Sequence, residues 1–249
     1  QAPTGTVVCS DEDAAYPASN LRGTLQVMSS RTATAVAGVT KTWTGNLGRP
    51  VPIGAIRIGA HNVSSDSRVR LELDDEATFT APPVDVDLDY HPAEFVYIPD
   101  RPLSYQHWRV SVTDDVPITT YIELHIQVFA TVELSREPDA PESRGIEDAS
   151  TAIEVAGGAR VPRDLVRGRR LSRNFGPLRR GPAQQLYECL LRTGGGGPIW
   201  YVPEAARKLH EGAYGYIAET PSLRTIDPTG TYWRLDGMVV EADRVAEAT

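Results

Sequence analysis

Six carboxylates fall within 16 residues, as Asp74-Asp75-Glu76 followed by Asp85, Asp87 and Asp89. Oxygen-rich clusters hold calcium when a glycine turn and backbone carbonyls complete the cage. Here Val86 and Leu88 alternate with the last three acids, and no glycine turn interrupts them. At the strand period of two, those aspartates share one face, where they would be solvated and would guard an edge against mispairing. The expectation is no tightly held metal. The histidines (His61, His91, His107, His125, His210) form no H-x-x-x-H or H-E-x-x-H pair. His107 and His125 alternate with apolar strand residues, so they are expected to point to the exterior of their sheets or to a subunit contact. No serine occupies a G-x-S-x-G elbow, and no carboxylate pair stands out from the general acidity. Gly194 to Gly197 are followed by Pro198-Ile199-Trp200 rather than by the Lys-Ser/Thr that a phosphate cradle requires, so they read as a helix-to-strand turn. No catalytic residue, metal or cofactor is expected, and the chain reads as non-enzymatic.

The arginines are the other group with chemistry to offer. Arg160, Arg163, Arg167, Arg169, Arg170 and Arg173 lie close together, with Val161, Leu165, Leu171 and Phe175 threaded among them. The planar guanidinium fork binds carboxylates in a bidentate way, which suits contacts between protein subunits. Three uses stay open for this segment: subunit contact, nucleic acid, or a solvated surface. The whole chain carries net charge −8, against a general nucleic-acid binder. Residues 1–135 hold 9 basic and 17 acidic side chains, whereas residues 136–249 hold 16 of each. Two parts of different electrostatic character suggest two domains, and subunit contact between arginines and an acidic neighbour is the preferred use.

The elements that would position these groups follow from periodicity. At 249 residues and 41% hydrophobic content the chain can bury a real core. No apolar run reaches about 18 residues, so no transmembrane helix is expected. Gln1 to Gly5 show neither a basic n-region nor an apolar h-region, so no signal peptide is expected either. Cys9 and Cys189 are read as small buried hydrophobes rather than as a bridge. Short strands are expected at 7–9, 25–28, 42–44, 53–58, 69–73 and 95–98. Two longer ones should follow, at 105–112 and 121–130, with Trp43 and Trp108 in the core. No amphipathic helix is expected before residue 135. Residues 131–150, rich in Pro, Glu, Asp and Ser, read as a linker or arm. Beyond them Gly157-Gly158 marks a hairpin turn, Pro182 opens one helix to Arg192, and strands follow at 198–202, 214–218, 223–226 and 231–240. The fold class is mainly β: a jelly-roll β-sandwich over residues 1–130, then a smaller α+β domain over 151–249 with one main helix.

Several segments carry a resemblance. Tyr16-Pro17-Ala18-Ser19-Asn20-Leu21 looks like a "YPxxNL" opening. Lys41 to Gly48 resembles the strand leading to a "DLG" turn, with Asn46 where aspartate is usual. Ile56 to Ser64, and Trp108-Arg109-Val110-Ser111-Val112 followed by Tyr121-Ile122-Glu123-Leu124, complete the set in order. Over about residues 7–130 this resembles the galactose-binding-like (discoidin-like) jelly rolls of bacteriophage tail proteins. The resemblance implies a structural virion component of the tail or its tip, distal-tail or baseplate-like, made in the bacterial host cytoplasm. Its partners would be other tail proteins, in a homo-oligomeric ring or cluster. The alternative it implies is a module that binds a receptor or host-surface glycan, and a tail-associated cell-wall hydrolase is disfavoured for want of a catalytic set. Nucleic acid and a membrane span are not expected. The tyrosines that could stack on a sugar (Tyr16, Tyr90, Tyr97, Tyr105) are scattered, with burial the default for each.

Overall fold

A computed structural model describes residues 5–22, 29–59, 61–101, 103–129, 143–148, 151–154, 160–163, 167–193, 198–201, 213–219 and 222–242. The chain divides into two compact units, Gln1–Thr131 and Val132–Thr249. The fold is mainly β, with antiparallel sheets and one α-helix among the described residues.

The first unit contains strands β1 (Thr6–Cys9), β2 (Ser30–Arg31), β3 (Lys41–Ile53), β4 (Ala55–Gly59), β5 (Ser67–Asp74), β6 (Val84–Leu88), β7 (Glu94–Tyr97), β8 (Leu103–Asp114) and β9 (Glu123–Phe129). They form a five-stranded sheet in the order β1-β3-β8-β5-β6 and a four-stranded sheet in the order β2-β9-β4-β7. Alternation decides which side chains meet between them. Trp43, Val69, Leu71, Leu73, Trp108, Val110 and Val112 come from the first sheet, and Ile56, Ile58, Phe95, Leu124 and Ile126 from the second. All are buried in one cluster, and Trp43 is fully enclosed with its indole N–H donated to Ser30 Oγ at 3.0 Å. Among the described residues of this unit the one helical piece is a 3-10 turn, Ala18–Arg22, whose Asn20 amide donates to the Ser29 carbonyl. The strand expected at 25–28 lies outside the described residues.

Irregularities sit where the sequence signals them. In β3 the ladder with β8 slips between Asn46 and Val51. Asn46 Oδ1 accepts the Gly48 N–H at 2.7 Å, and Gly48 has φ of 79°, a conformation that a Cβ disfavours.

The second unit contains β10 (Ser143–Asp148), β11 (Thr151–Glu154), β12 (Arg160–Arg163), β13 (Arg167–Arg179), α1 (Arg180–Thr193), β14 (Pro198–Tyr201), β15 (Ala213–Glu219), β16 (Ser222–Thr225) and β17 (Tyr232–Ala242). Strands run in the order β10-β13-β17-β15-β14, β16 also pairs β17, and β11-β12 is a separate hairpin. Helix α1 sets Ala183, Leu186, Tyr187 and Leu190 against Leu178, Leu223, Trp233 and Leu235, the i, i+3, i+4, i+7 face. Cys189 is half-buried and Cys9 is buried. Residues 143–148, expected to belong to the arm, are instead a strand paired with β13 through Ser143↔Ser172 to Asp148↔Arg167. A polar sequence is compatible with such a strand because the ladder consumes backbone donors and acceptors, not side chains. The rest of the expected arm, 131–142 and 149–150, lies outside the described residues.

Candidate functional site

The outer face of the five-stranded sheet is built by the same alternation that fills the core. In β5, Val69, Leu71 and Leu73 point inward, which turns Arg68, Arg70 and Glu72 outward. In β8 the inward Val110 and Val112 leave Arg109, Ser111 and Thr113 outward, and in β6 Asp85 and Asp87 take the outer positions. Register then fixes a grid. Glu72 lies opposite both Arg109 and Asp85, Arg70 opposite both Ser111 and Asp87, and Arg68 opposite Thr113.

Like charges directly across a ladder repel, as Glu72 and Asp85 would. Guanidinium partners resolve this, diagonally for Asp85 and straight across for Glu72. Arg70 turns to Asp85 through Nε at 2.5 Å and through Nη2, while Arg109 grips Glu72 through Nε at 2.5 Å and Nη2 at 2.6 Å. Arg68 meets Asp87 through Nε at 3.0 Å and Nη2 at 2.9 Å. Each is a side-on, two-point grip of the kind that fixes a guanidinium plane. Among the described residues, Nη1 of all three arginines has no hydrogen-bond partner. Arg109 also lies over the Phe79 ring at 4.5 Å, and Phe79 is held with φ of 49° in the loop after β5.

Arg68, Arg70, Glu72, Arg109, Ser111, Thr113 and Thr40 together line an open groove of about 210 Å3. Thr40 and Thr113 hydroxyls bond each other at 2.7 Å at its rim. Pairing also sets the protonation states. The hydrogen bonds from Arg70 hold the Asp85 carboxyl below the usual carboxylate range, and Asp85 in turn raises Arg70, as Asp87 raises Arg68. The aspartates expected to be solvated on an edge are indeed exposed at edge strand β6, and Asp85 and Asp87 also anchor an arginine row there.

Loops at one end of the sandwich are tightly stapled. Asp114 accepts from the Ser64 N–H (2.9 Å), Ser64 Oγ (2.6 Å) and the Val116 N–H (3.0 Å). Arg31 stacks on Tyr16 at 3.6 Å and on Tyr121 at 4.7 Å while bonding Glu123 at 2.9 Å. Tyr16 and Tyr90 stay 37% and 39% exposed, contrary to the burial expected of them, because they sit on loops rather than strands. One face of Tyr16 is taken by Arg31, and Tyr90 meets His61 and Phe95 edge-on.

His107 and His125 correct a second expectation. Both have the parity of an outer face, yet both are buried, His125 completely. The Phe79 ring lies edge-on to His107 at 6.5 Å. His125 stands opposite Gly59, next to Arg57, which pairs with Glu94 and bonds Gln127 Oε1 at 3.0 Å. Neither ring nitrogen of His125 has a partner among the described residues. Desolvation, with the Arg57 charge adding to it, brings its pKa down to about 4.

The arginines singled out in the sequence fall on strands: Arg160 and Arg163 on β12, and Arg167, Arg169, Arg170 and Arg173 on β13. Their side chains lie outside the described residues. By register Arg170 stands opposite Glu241 and Gly145, and Arg160 opposite Glu154. The groove residues were missed in the sequence, although Arg68-Val69-Arg70-Leu71-Glu72-Leu73 and Arg109-Val110-Ser111-Val112-Thr113 both display the outward row. What was lacking was the knowledge that these rows are neighbours.

Comparison with known proteins gives no matching family model and no matching curated protein. Solved structures resembling the chain include the family 32 CBM from C. perfringens NanJ in complex with galactose, at 12% identity and TM-score 0.40, covering 50% of this chain and 92% of that one. A chitosan-binding module 1 from a chitosanase/glucanase of Paenibacillus sp. IK-5 matches at 15% identity and TM-score 0.41, covering 52% and 97%. The lectin domain of lectinolysin complexed with Lewis B antigen matches at 15% identity and TM-score 0.40, covering 52% and 95%.

Proposed function

We propose that this protein is a non-enzymatic attachment module, with the N-terminal sandwich binding a carbohydrate of the host surface through the groove on its five-stranded sheet. The observation that carries this is the row of pre-oriented arginines beside the Ser111, Thr113 and Thr40 hydroxyls on an open sheet face. Ordered polar groups of fixed direction suit a ligand whose own hydroxyls are fixed on a ring, since little side-chain entropy remains to be lost on binding. The groove lies below the roughly 300 Å3 at which enclosed small-molecule pockets begin, so it fits one unit of a longer chain crossing the face.

The non-enzymatic reading is supported by the fate of the carboxylates. Glu72 has both oxygens in the Arg109 grip, and Asp85 is held ionised by Arg70. Glycoside hydrolysis needs a carboxyl that keeps its proton near neutrality, whereas Arg70 favours the charged form of Asp85. The phage-tail setting rests on the sequence resemblance of residues 7–130. In it the second unit, with Arg160 to Arg173, would contact other tail proteins or copies of the chain.

The test is binding of purified host-surface polysaccharide to the full chain and to Ser111→Trp, which fills the groove while leaving every ion-paired residue in the sequence. Loss of binding in the variant, with no release of reducing ends by the wild-type protein, is the expected result. Equal binding by both proteins, or sugar release, would overturn the proposal. Absence of the protein from purified virions would overturn the tail setting alone.

A further inference from the structure

The groove is rich in donors and poor in acceptors. Three guanidiniums and one carboxylate line it, and that carboxylate, Glu72, already accepts from Arg109 at both oxygens. Asp85 and Asp87 stand outside the lining on β6, where Arg70 and Arg68 engage them. Every arginine spends its Nε edge on the protein and keeps its Nη1 group. A five-donor fork gripped on one side still offers N–H groups on the other. A neutral sugar hydroxyl can accept from these N–H groups, but it leaves its own O–H facing a wall short of free acceptors and brings no charge to the bond. An anionic group brings the acceptor oxygens that the wall lacks, in charge-assisted bonds about twice as strong as neutral ones.

We infer that the ligand of this groove carries an anionic group, a carboxylate or a phosphate, on its sugar chain, a specificity that rests on the carbohydrate reading above. The net charge of −8 does not decide against it. At physiological salt exposed charges are screened beyond about 8 Å, so the distant acids carry little weight. Close by, Glu72, Asp85 and Asp87 each balance one guanidinium, so the pull on an anion comes from the directed N–H groups left on each fork rather than from excess charge. The cationic form of the forks is secure, because Asp87 and Asp85 raise Arg68 and Arg70 further above neutrality.

The experiment titrates the full chain with four probes: oligogalacturonate, its methyl ester, a neutral galactose oligosaccharide, and a glycerol-phosphate oligomer. At least one of the two anionic probes should bind roughly tenfold or more tighter than the ester and the neutral sugar, weaken as salt rises, and lose that advantage in Arg70→Gln. Arg70 and Asp85 are both solvent-accessible, so this variant is expected to fold, which circular dichroism checks. Which anion binds tells carboxylate from phosphate, and either result supports the inference. If the ester and the neutral sugar bind as tightly as the acid and Ser111→Trp abolishes all binding, the anion requirement falls while the carbohydrate reading stands. If no probe binds and host polysaccharide does not bind either, both fall.

Discussion

Replacing His125 with leucine should remove a pH dependence of stability whose size follows from where the ring sits. The side chain is fully enclosed, its nitrogens have no partner among the described residues, and Arg57 is its charged neighbour. Glu94 and Gln127 face the same spot but are engaged by Arg57. The folded-state pKa is about 4 against an ordinary value of 6.5. The unfolded chain therefore takes up its proton first. Stability from this group is full above about pH 6.5, falls as the pH drops, and levels off below about pH 4. At 1.36 kcal/mol per unit the whole loss is about 3 kcal/mol, of which about 2 kcal/mol has gone by about pH 5. Leucine is similar in bulk and leaves no orphan nitrogen, so near neutrality the variant should match or slightly exceed the wild type. The assay is urea unfolding in a Trp200→Phe, Trp233→Phe background, where Trp43 and Trp108 alone report on the first unit. The two stability curves should converge near neutrality and separate toward acid. Parallel curves would show that His125 is not carried into the fold neutral, and would refute the account.

Three further outcomes test the sandwich. Trp108→Ala should cost about 3–5 kcal/mol in chemical denaturation, because the ring is nearly fully buried in the core. Gly45→Ala would put a Cβ 2.1 Å from the Trp108 indole, so it should cost about 1–3 kcal/mol alone but little in a Trp108→Ala background, a coupling that a double-mutant cycle measures. Asp114→Ala removes the acceptor of three hydrogen bonds to Ser64 and Val116, and should cost about 2–4 kcal/mol with faster exchange of both amides.

The sequence by itself determined the period and therefore the class of most of the longer described elements. Alternation in β3 and β8 named Trp43 and Trp108 as core, and Pro182 with the glycines at 194–197 bracketed the helix that runs Arg180–Thr193. It determined parity too, since Asp85 and Asp87 do share an outward face. Parity is local, being set by the chain's own pleat. What only the tertiary structure decided is which rows become neighbours and which outer faces are covered. Arg70 and Asp85 are 15 residues apart, Arg109 and Glu72 are 37 apart, and their pairing depends on β8 and β6 flanking β5. His125 has the same outward parity as Arg70, yet it is buried and neutral where Arg70 is accessible and charged. The largely polar segment Ser143–Asp148 likewise became strand because β13 offered it a ladder. Periodicity fixes the direction a side chain takes from its own strand, whereas its charge state and exposure depend on groups brought in from distant parts of the chain.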